Sequence, residues 1–380
     1  MMQYLTQTIL LAVCLAVFAV PFASAQNRDG SDLFVVIVND KRGYIDRTGK
    51  VIIEPKWGGA NNFSEGLAVV ATYEDGYKQG YIDTTGKVVI EPQFRRAWDF
   101  SEGLAAVGFG EFGLHNSGEH KTGFIDKTGK LVIEPKYTDA RSFSEGLAVV
   151  YEDGKYGYID KTGKLVIPLK FDSAMDFSEG LASVRIKKKW GYIDHSGKFV
   201  VSPKYSFADS LSEGLAAVKT GGAVVTGNDW SEFKDDNSPE IWMYINRHGK
   251  VVIKLPINTD SANRFSEEVA SVAITKQDGY LYEGYIDKTG KFIIEPVFGS
   301  ADDFSDGIAR ILKDDNFGFI DKKGKILMSF RYKSDYAMVG GFRNGLAKVQ
   351  KGGEDVFKNF REARYGYIDI TGKVIWEPSK

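Results

Sequence analysis

Lys189-Trp190-Gly191-Tyr192-Ile193-Asp194 recurs in close copies from one end of the chain to the other. The glycine of the copies is Gly43, Gly80, Gly123, Gly157, Gly191, Gly284, Gly318 and Gly366. A degenerate ninth copy, Met243-Tyr244-Ile245-Asn246, has methionine in the glycine place. Self-similarity at a period of about 20–50 residues sets the architecture before any other signal is weighed.

Outward from this block, each Asp is followed three residues later by glycine, as in Asp46-Arg47-Thr48-Gly49-Lys50. Asp opens such a turn by accepting from a turn amide, and Gly takes positive φ, which predicts a type I turn closing into a G1 bulge. A short apolar run follows, such as Val51-Ile52-Ile53, and then a proline at Pro55, Pro92, Pro135, Pro203 and Pro296. Proline removes a ladder donor, so pairing is expected to end there. The linker beyond it spaces an aromatic, an Ala and a Phe by three residues (Tyr137, Ala140, Phe143), which predicts one turn of α or 3₁₀ helix. Upstream of each block lies Phe-Ser-Glu-Gly-Leu-Ala or a variant, whose apolar tail (Leu67-Ala68-Val69-Val70) reads as a strand buried on both faces.

The spacing separates scaffold from variation. From block glycine to the next Phe the distance is 20 residues in six copies, whereas from Phe to the next glycine it ranges from 14 to 32. Only the degenerate copy (22 residues) and the eighth (24) depart from 20, so insertions are confined almost wholly to one connection per unit, and stacked units would send these loops out along one edge.

These blocks resemble the WG repeat (KWG repeat) of bacterial proteins, named for the pair found here as Trp190-Gly191. The resemblance covers nearly all of the chain after its leader, although Gly43, Gly80, Gly123 and Gly284 lack the preceding aromatic. It implies an all-β repeat with a binding or scaffolding role and carries over no catalytic residue.

The expected fold is therefore all-β, a tandem, solenoid-like array of about nine three-stranded units over residues 33–380. The alternative is a closed propeller-like ring, disfavoured because propeller blades usually have four strands and number about 4–8. Residues 1–25 hold no charge and an apolar run, Ile9 to Val20, ending Ala23-Ser24-Ala25. That pattern predicts a signal peptide cleaved after Ala25, export to the periplasm or exterior, and no membrane span in the mature chain. Residues 26–32 form a short polar leader. The single cysteine, Cys14, lies in the signal, so the mature chain has no disulfide.

With 49 Lys+Arg against 51 Asp+Glu, nothing in the charge balance points to nucleic acid. No catalytic constellation, cofactor motif or metal set stands out, and the chain is read as a non-enzyme. His195 and His248 read as solvated turn residues, and His115 and His120, in a loop with Glu111 and Glu119, as polar surface. The lysine after each turn glycine (Lys50 and its counterparts) is expected in solvent near the repeated acids. Function is expected where the copies disagree. Trp230, Phe233 and Trp242 in the longest insertion, with Phe109 and Phe112 in another, are the candidate partner-binding residues. The partner would be a protein or, alternatively, a cell-envelope polysaccharide recognised by exposed rings.

Overall fold

Every turn that the sequence marks with Asp and Gly closes a hairpin. In the first, the Gly49 amide donates to the Asp46 carbonyl (3.0 Å) and the Asp46 amide to the Lys50 carbonyl (2.9 Å). Gly49 has φ +87°. The Asp46 carboxylate accepts from the Thr48 amide, the Thr48 hydroxyl and the Lys50 amide. The same set recurs around Asp83, Asp126, Asp160 and Asp287, and around Asp194 with Ser196 in the threonine's place.

The computed structural model describes residues 29–73, 76–110, 121–221, 239–331, 336–351 and 365–377. They form nine antiparallel sheets in chain order, here called blades 1 to 9. Blade 1 has three strands, Phe34–Val38, Lys41–Ile45 and Val51–Trp57. The other eight have four. Blade 5 is typical, with Ser173–Ala174, Ala182–Ile186, Lys189–Ile193 and Phe199–Tyr205 in that order across the sheet.

The extra strand corrects the sequence reading of the linker. The segment expected to turn as a helix is instead a two-residue strand, Ser173–Ala174, paired with Val184 and Arg185. Flanking amides complete the pairing, since Asp172 and Met175 donate to the Arg185 and Ser183 carbonyls, both at 2.9 Å. A helical turn would leave those edge carbonyls without main-chain donors. A second correction concerns the prolines. The last strand runs through Pro203 to Tyr205, and Pro203 sits in a bulge where no ladder donor is needed.

That bulge accounts for the block glycine. Trp190 pairs with Tyr205 and Tyr192 with Val201, so Gly191 faces the bulged segment between them. A Cβ on Gly191 would stand 2.4 Å from the Val201 carbonyl oxygen and 2.8 Å from the Pro203 nitrogen. In blades 6 and 8, which have no proline in that segment, pairing is regular: Met243 lies opposite Lys254, and Gly318 opposite Ser329, whereas blade 4, with Pro168 one residue earlier, keeps the bulge opposite Gly157. Methionine is tolerated in the degenerate copy because its partner strand does not bulge there.

Blades pack face to face, and alternate residues serve opposite neighbours. Ala148 and Val150 join a cluster with Leu104, Phe124 and Ile133 of blade 3. Leu147 and Val149 join Phe177, Val184 and Ile193 of blade 5. Each leading Phe packs on the block aromatic of the preceding blade, for example Phe100 on Tyr81 (4.9 Å) and Phe265 on Tyr244 (4.9 Å). The block tyrosines are buried, and their hydroxyls donate across the interface, Tyr81 to the Trp98 carbonyl and Tyr192 to the Asp209 carbonyl.

A row of nine units has eight interfaces; this molecule has nine. The ninth cluster joins Phe34, Val36 and Ile45 of blade 1 to Leu346 and Tyr367 of blade 9. The Tyr367 hydroxyl donates to the Val35 carbonyl (2.8 Å), and the Asn344 amide to the Ser31 carbonyl (2.6 Å). The arrangement is thus the closed ring, a nine-bladed β-propeller, and not the open array.

One face of the ring is held by a repeated latch. Ser-Glu-Gly-Leu forms a two-residue hairpin turn, with Glu65 at φ +52° and Gly66 at φ +88°. Ser64 donates to the Phe100 carbonyl of the next blade, and the Glu65 carboxylate accepts from the Glu102 and Gly103 amides there. Basic side chains then close on the glutamates: the lysines Lys127 on Glu65, Lys161 on Glu102, Lys288 on Glu213 and Lys322 on Glu267, with the His195 Nε2 3.2 Å from Glu145. They come from the position just after the turn Asp, not from the lysine after the glycine. His195 is accordingly not a free turn residue, because it also stacks on Phe177 with centroids 4.2 Å apart. His248 is exposed, as expected.

Candidate interaction surface on the loop edge

The connection between the Leu-Ala strand and the Gly-Tyr-Ile-Asp strand leaves every blade at the same end, because the strand order is the same in each. In the short copies this connection is a two-residue turn with both residues at positive φ, as at Asn39-Asp40, Lys187-Lys188 and Asp314-Asp315. Such turns match strand twist and close a hairpin with nothing to spare. The long copies are insertions on that base. The edge opposite carries the latches and the Asp-Gly turns.

Of the five residues singled out in the sequence, Trp230, Phe233 and Phe112 lie outside the described residues, as do His115 and His120. Trp242 is only 7% exposed. Its indole Nε1 donates to the Asp260 carbonyl of blade 7 (2.8 Å), with Phe207 5.3 Å away and the Lys219 ammonium 5.5 Å over the ring. Trp242 therefore anchors the end of the insertion on the scaffold; in the strand flank of a loop, a large ring is buried by the neighbouring blade. Phe109 is half-buried, edge-on to Phe94 at 5.6 Å.

Two other rings do stand out from this edge. Tyr73 is 62% exposed and Tyr280 is 69% exposed. Tyr280 sits in a turn shaped by Asp278, whose carboxylate accepts from the Tyr280 amide (3.0 Å) and the Tyr282 hydroxyl (3.1 Å). That hydrogen bond to a carboxylate raises the Tyr282 phenol above its ordinary range. Tyr73 lies 5.3 Å from Tyr77, and its ring covers Gly58, where a Cβ would come within 2.3 Å of it. Tyr73, Trp57, Lys41, Lys56 and Thr72 line a cleft of about 220 Å³ between blades 1 and 2. The Lys56 ammonium lies 5.1 Å over the Trp57 ring. A ring beside flexible cations and a hydroxyl can stack on an apolar face while offering donors at its rim. Sequence reasoning passed over Tyr73 and Tyr280 because it weighed only the largest insertions; their position inside the variable connection was the available signal.

The WG containing repeat model matches residues 43–72, 80–111, 123–156, 156–190, 190–222, 242–280, 284–317 and 317–354. The chain is a WG-repeat protein. Each match opens at or next to the block glycine, or Met243 in its place, and runs on to the following connection of the loop edge. No curated protein matches this sequence. Among solved structures, the WG-repeat chain is similar to the crystal structure of the eukaryotic initiation factor, with TM-score 0.61 and 10% identity over 90% of this chain and 94% of that one. A likeness at that identity reports the fold alone. Citrobacter koseri AztD matches with TM-score 0.39 and 13% identity over 83% of this chain and 92% of that one.

Proposed function

We propose that this WG-repeat protein is a non-enzymatic, exported binding or scaffold module that takes a protein partner on its loop edge. The observation that carries the reading is the division of the ring into two edges. One repeats the same latch from blade to blade; the other collects most of the length variation and the exposed Tyr73 and Tyr280. A scaffold that holds one face constant and varies the other presents side chains to a partner at little cost to its own packing. Export rests on the uncharged apolar leader ending Ala23-Ser24-Ala25.

The test replaces residues 221–240 by the Lys187-Lys188 turn of blade 5, within the full ring. Capture from a native envelope extract should lose its partner while thermal unfolding is unchanged. Retention of the same partner by this variant, and by Tyr73→Ala with Tyr280→Ala, would exclude the loop edge. The cleft beside Trp57 and Tyr73 favours a second reading, an envelope polysaccharide stacked on these rings. Co-sedimentation with peptidoglycan that fails on Tyr73→Ala alone would select it.

A further inference from the structure

Among the described residues, blade 1 lacks the short first strand that the other blades have, and a cavity of about 480 Å³ opens beside this blade. Its lining comes from four consecutive blades: Tyr365, Tyr367 and Lys348 of blade 9, Val35, Ile37 and Arg42 of blade 1, Asn61 of blade 2 and Asp99 of blade 3. Four blades converge on one space only near the ring axis.

Among the described residues, the two cations in it lack the carboxylate partner that a cation has in blade 8. Arg310 occupies the same place in blade 8 as Lys348 in blade 9. Its Nε and Nη2 donate to the two carboxylate oxygens of Asp302, each at 2.8 Å, and its Nη1 to the Val339 carbonyl. In blade 9 the residue matching Asp302 is Gly340, directly across from Lys348. Among the described residues no carboxylate forms an ion pair with Lys348; its ammonium lies 4.3 Å over the Tyr365 ring. Arg42 donates to the Gly58 carbonyl and faces the same space. Asp99 accepts from the Asn61 amide at 3.1 Å. Burial, with Arg42 nearby, holds the Lys348 ammonium below its ordinary range. Two cations against one carboxylate in a half-enclosed site favour an anion.

We propose that this seam cavity binds a small organic anion, whose carboxylate or phosphate oxygens bridge Lys348 of blade 9 and Arg42 of blade 1. The site is independent of the loop-edge reading, being set on the axial side of the seam. Gly340 offers a direct test, because its φ is not positive and a Cβ there meets nothing closer than 3.4 Å. Gly340→Asp would supply Lys348 with the internal carboxylate that Arg310 already has. Calorimetric titration of the mature chain with citrate and with inorganic phosphate, at ionic strength matched with sodium chloride, should show saturable binding of one or both. The anion that binds tells carboxylate from phosphate recognition. Gly340→Asp and Lys348→Met should each weaken binding at least tenfold while the ring melts cooperatively. The proposal is overturned if neither anion binds the wild-type chain, or if both variants bind as the wild type does.

Discussion

Alanine at Gly191 should unfold this ring earlier, and alanine at Gly318 should not. At Gly191 the new methyl would stand 2.4 Å from the Val201 oxygen, 2.8 Å from the Pro203 nitrogen and 3.0 Å from its Cα. All three are main-chain atoms of the bulge, so relief requires moving a strand by about 1 Å. Overpacking of this kind costs about 1–3 kcal/mol, offset by about 0.5–1 kcal/mol from the lower entropy of the unfolded alanine chain. At Gly318 the nearest atoms are the Ile311 Cδ1 at 3.2 Å, the tip of a flexible side chain, and the Met328 oxygen at 3.3 Å. A few tenths of an ångström suffice there, so the entropy gain nearly cancels the cost. For 380 residues, about 2.1 cal/mol/K each makes about 0.8 kcal/mol per degree. The net cost at Gly191 is about 0–2.5 kcal/mol, so Gly191→Ala should lower Tm by up to about 3 °C, and Gly318→Ala should leave it within about 1 °C. Calorimetry on the two variants side by side decides it. Equal shifts would mean that the proline bulge is not what excludes a side chain from the block glycine.

Three further outcomes follow from the interfaces. Tyr192→Phe removes the donor to the partly buried Asp209 carbonyl and should cost about 1 kcal/mol by denaturant unfolding, whereas Phe124 and Phe319, natural phenylalanines at that place, show that the ring itself fits. Glu102→Ala leaves the Gly146 amide without its carboxylate (3.0 Å) and frees Lys161; a drop of about 1 kcal/mol that shrinks in high salt is expected by the same assay. In the turns at Asp126, Asp160 and Asp287, a threonine hydroxyl and then backbone amides hold the carboxylate below its ordinary range, against a smaller opposing effect of burial; at Asp194 the hydroxyl is Ser196. A depressed folded value means that this stability is complete above the unfolded value, near 3.9, and is lost as pH falls through the folded one. Melting followed from pH 6 to 3 should thus fall steeply below about pH 4, and Asp194→Asn, which copies the Asn246 turn, should make that fall shallower.

The turns and the shared loop edge were legible because each rests on local chemistry repeated many times. Asp46 to Lys50 needs only its own five residues to fold as it does. The fourth strand was not legible, since two residues such as Ser173 and Ala174 cannot display a period of two. Their pairing is imposed by the edge of Ala182–Ile186. The Ser-Glu-Gly-Leu turn hid its purpose for a different reason. A two-residue turn at positive φ favours Asn or Gly, and Glu65 adopts it because its carboxylate reaches the next blade, a gain invisible within one unit. Trp242 misled because chain position places it beside an insertion while packing places it against Phe207 and Asp260.

Ring or row was the largest question left open by the sequence, and the reason is geometric. The contacts between blades 9 and 1 follow the same scheme as those inside the chain: a block tyrosine donating to a carbonyl of the next blade, a turn glycine set on the preceding blade's last strand, and a leading-turn residue reaching across. Nothing in the motif states the angle between neighbours, so the same residues could equally describe a row. What differs at the seam is covalent. Among the described residues, blade 9 takes its strands from residues 336–376 and blade 1 from 34–57, with no strand exchanged between them. Among the described residues, closure there rests on the cluster around Phe34 and Tyr367 and on the hydrogen bonds from Asn344 and Tyr367. The seam is the interface where opening separates no connected segments, and it is also where Lys348 and Arg42 line one cavity. An anion bound by both would join blade 9 to blade 1 across the one boundary the chain does not bridge, so ligand binding at the axis and closure of the ring are expected to be linked.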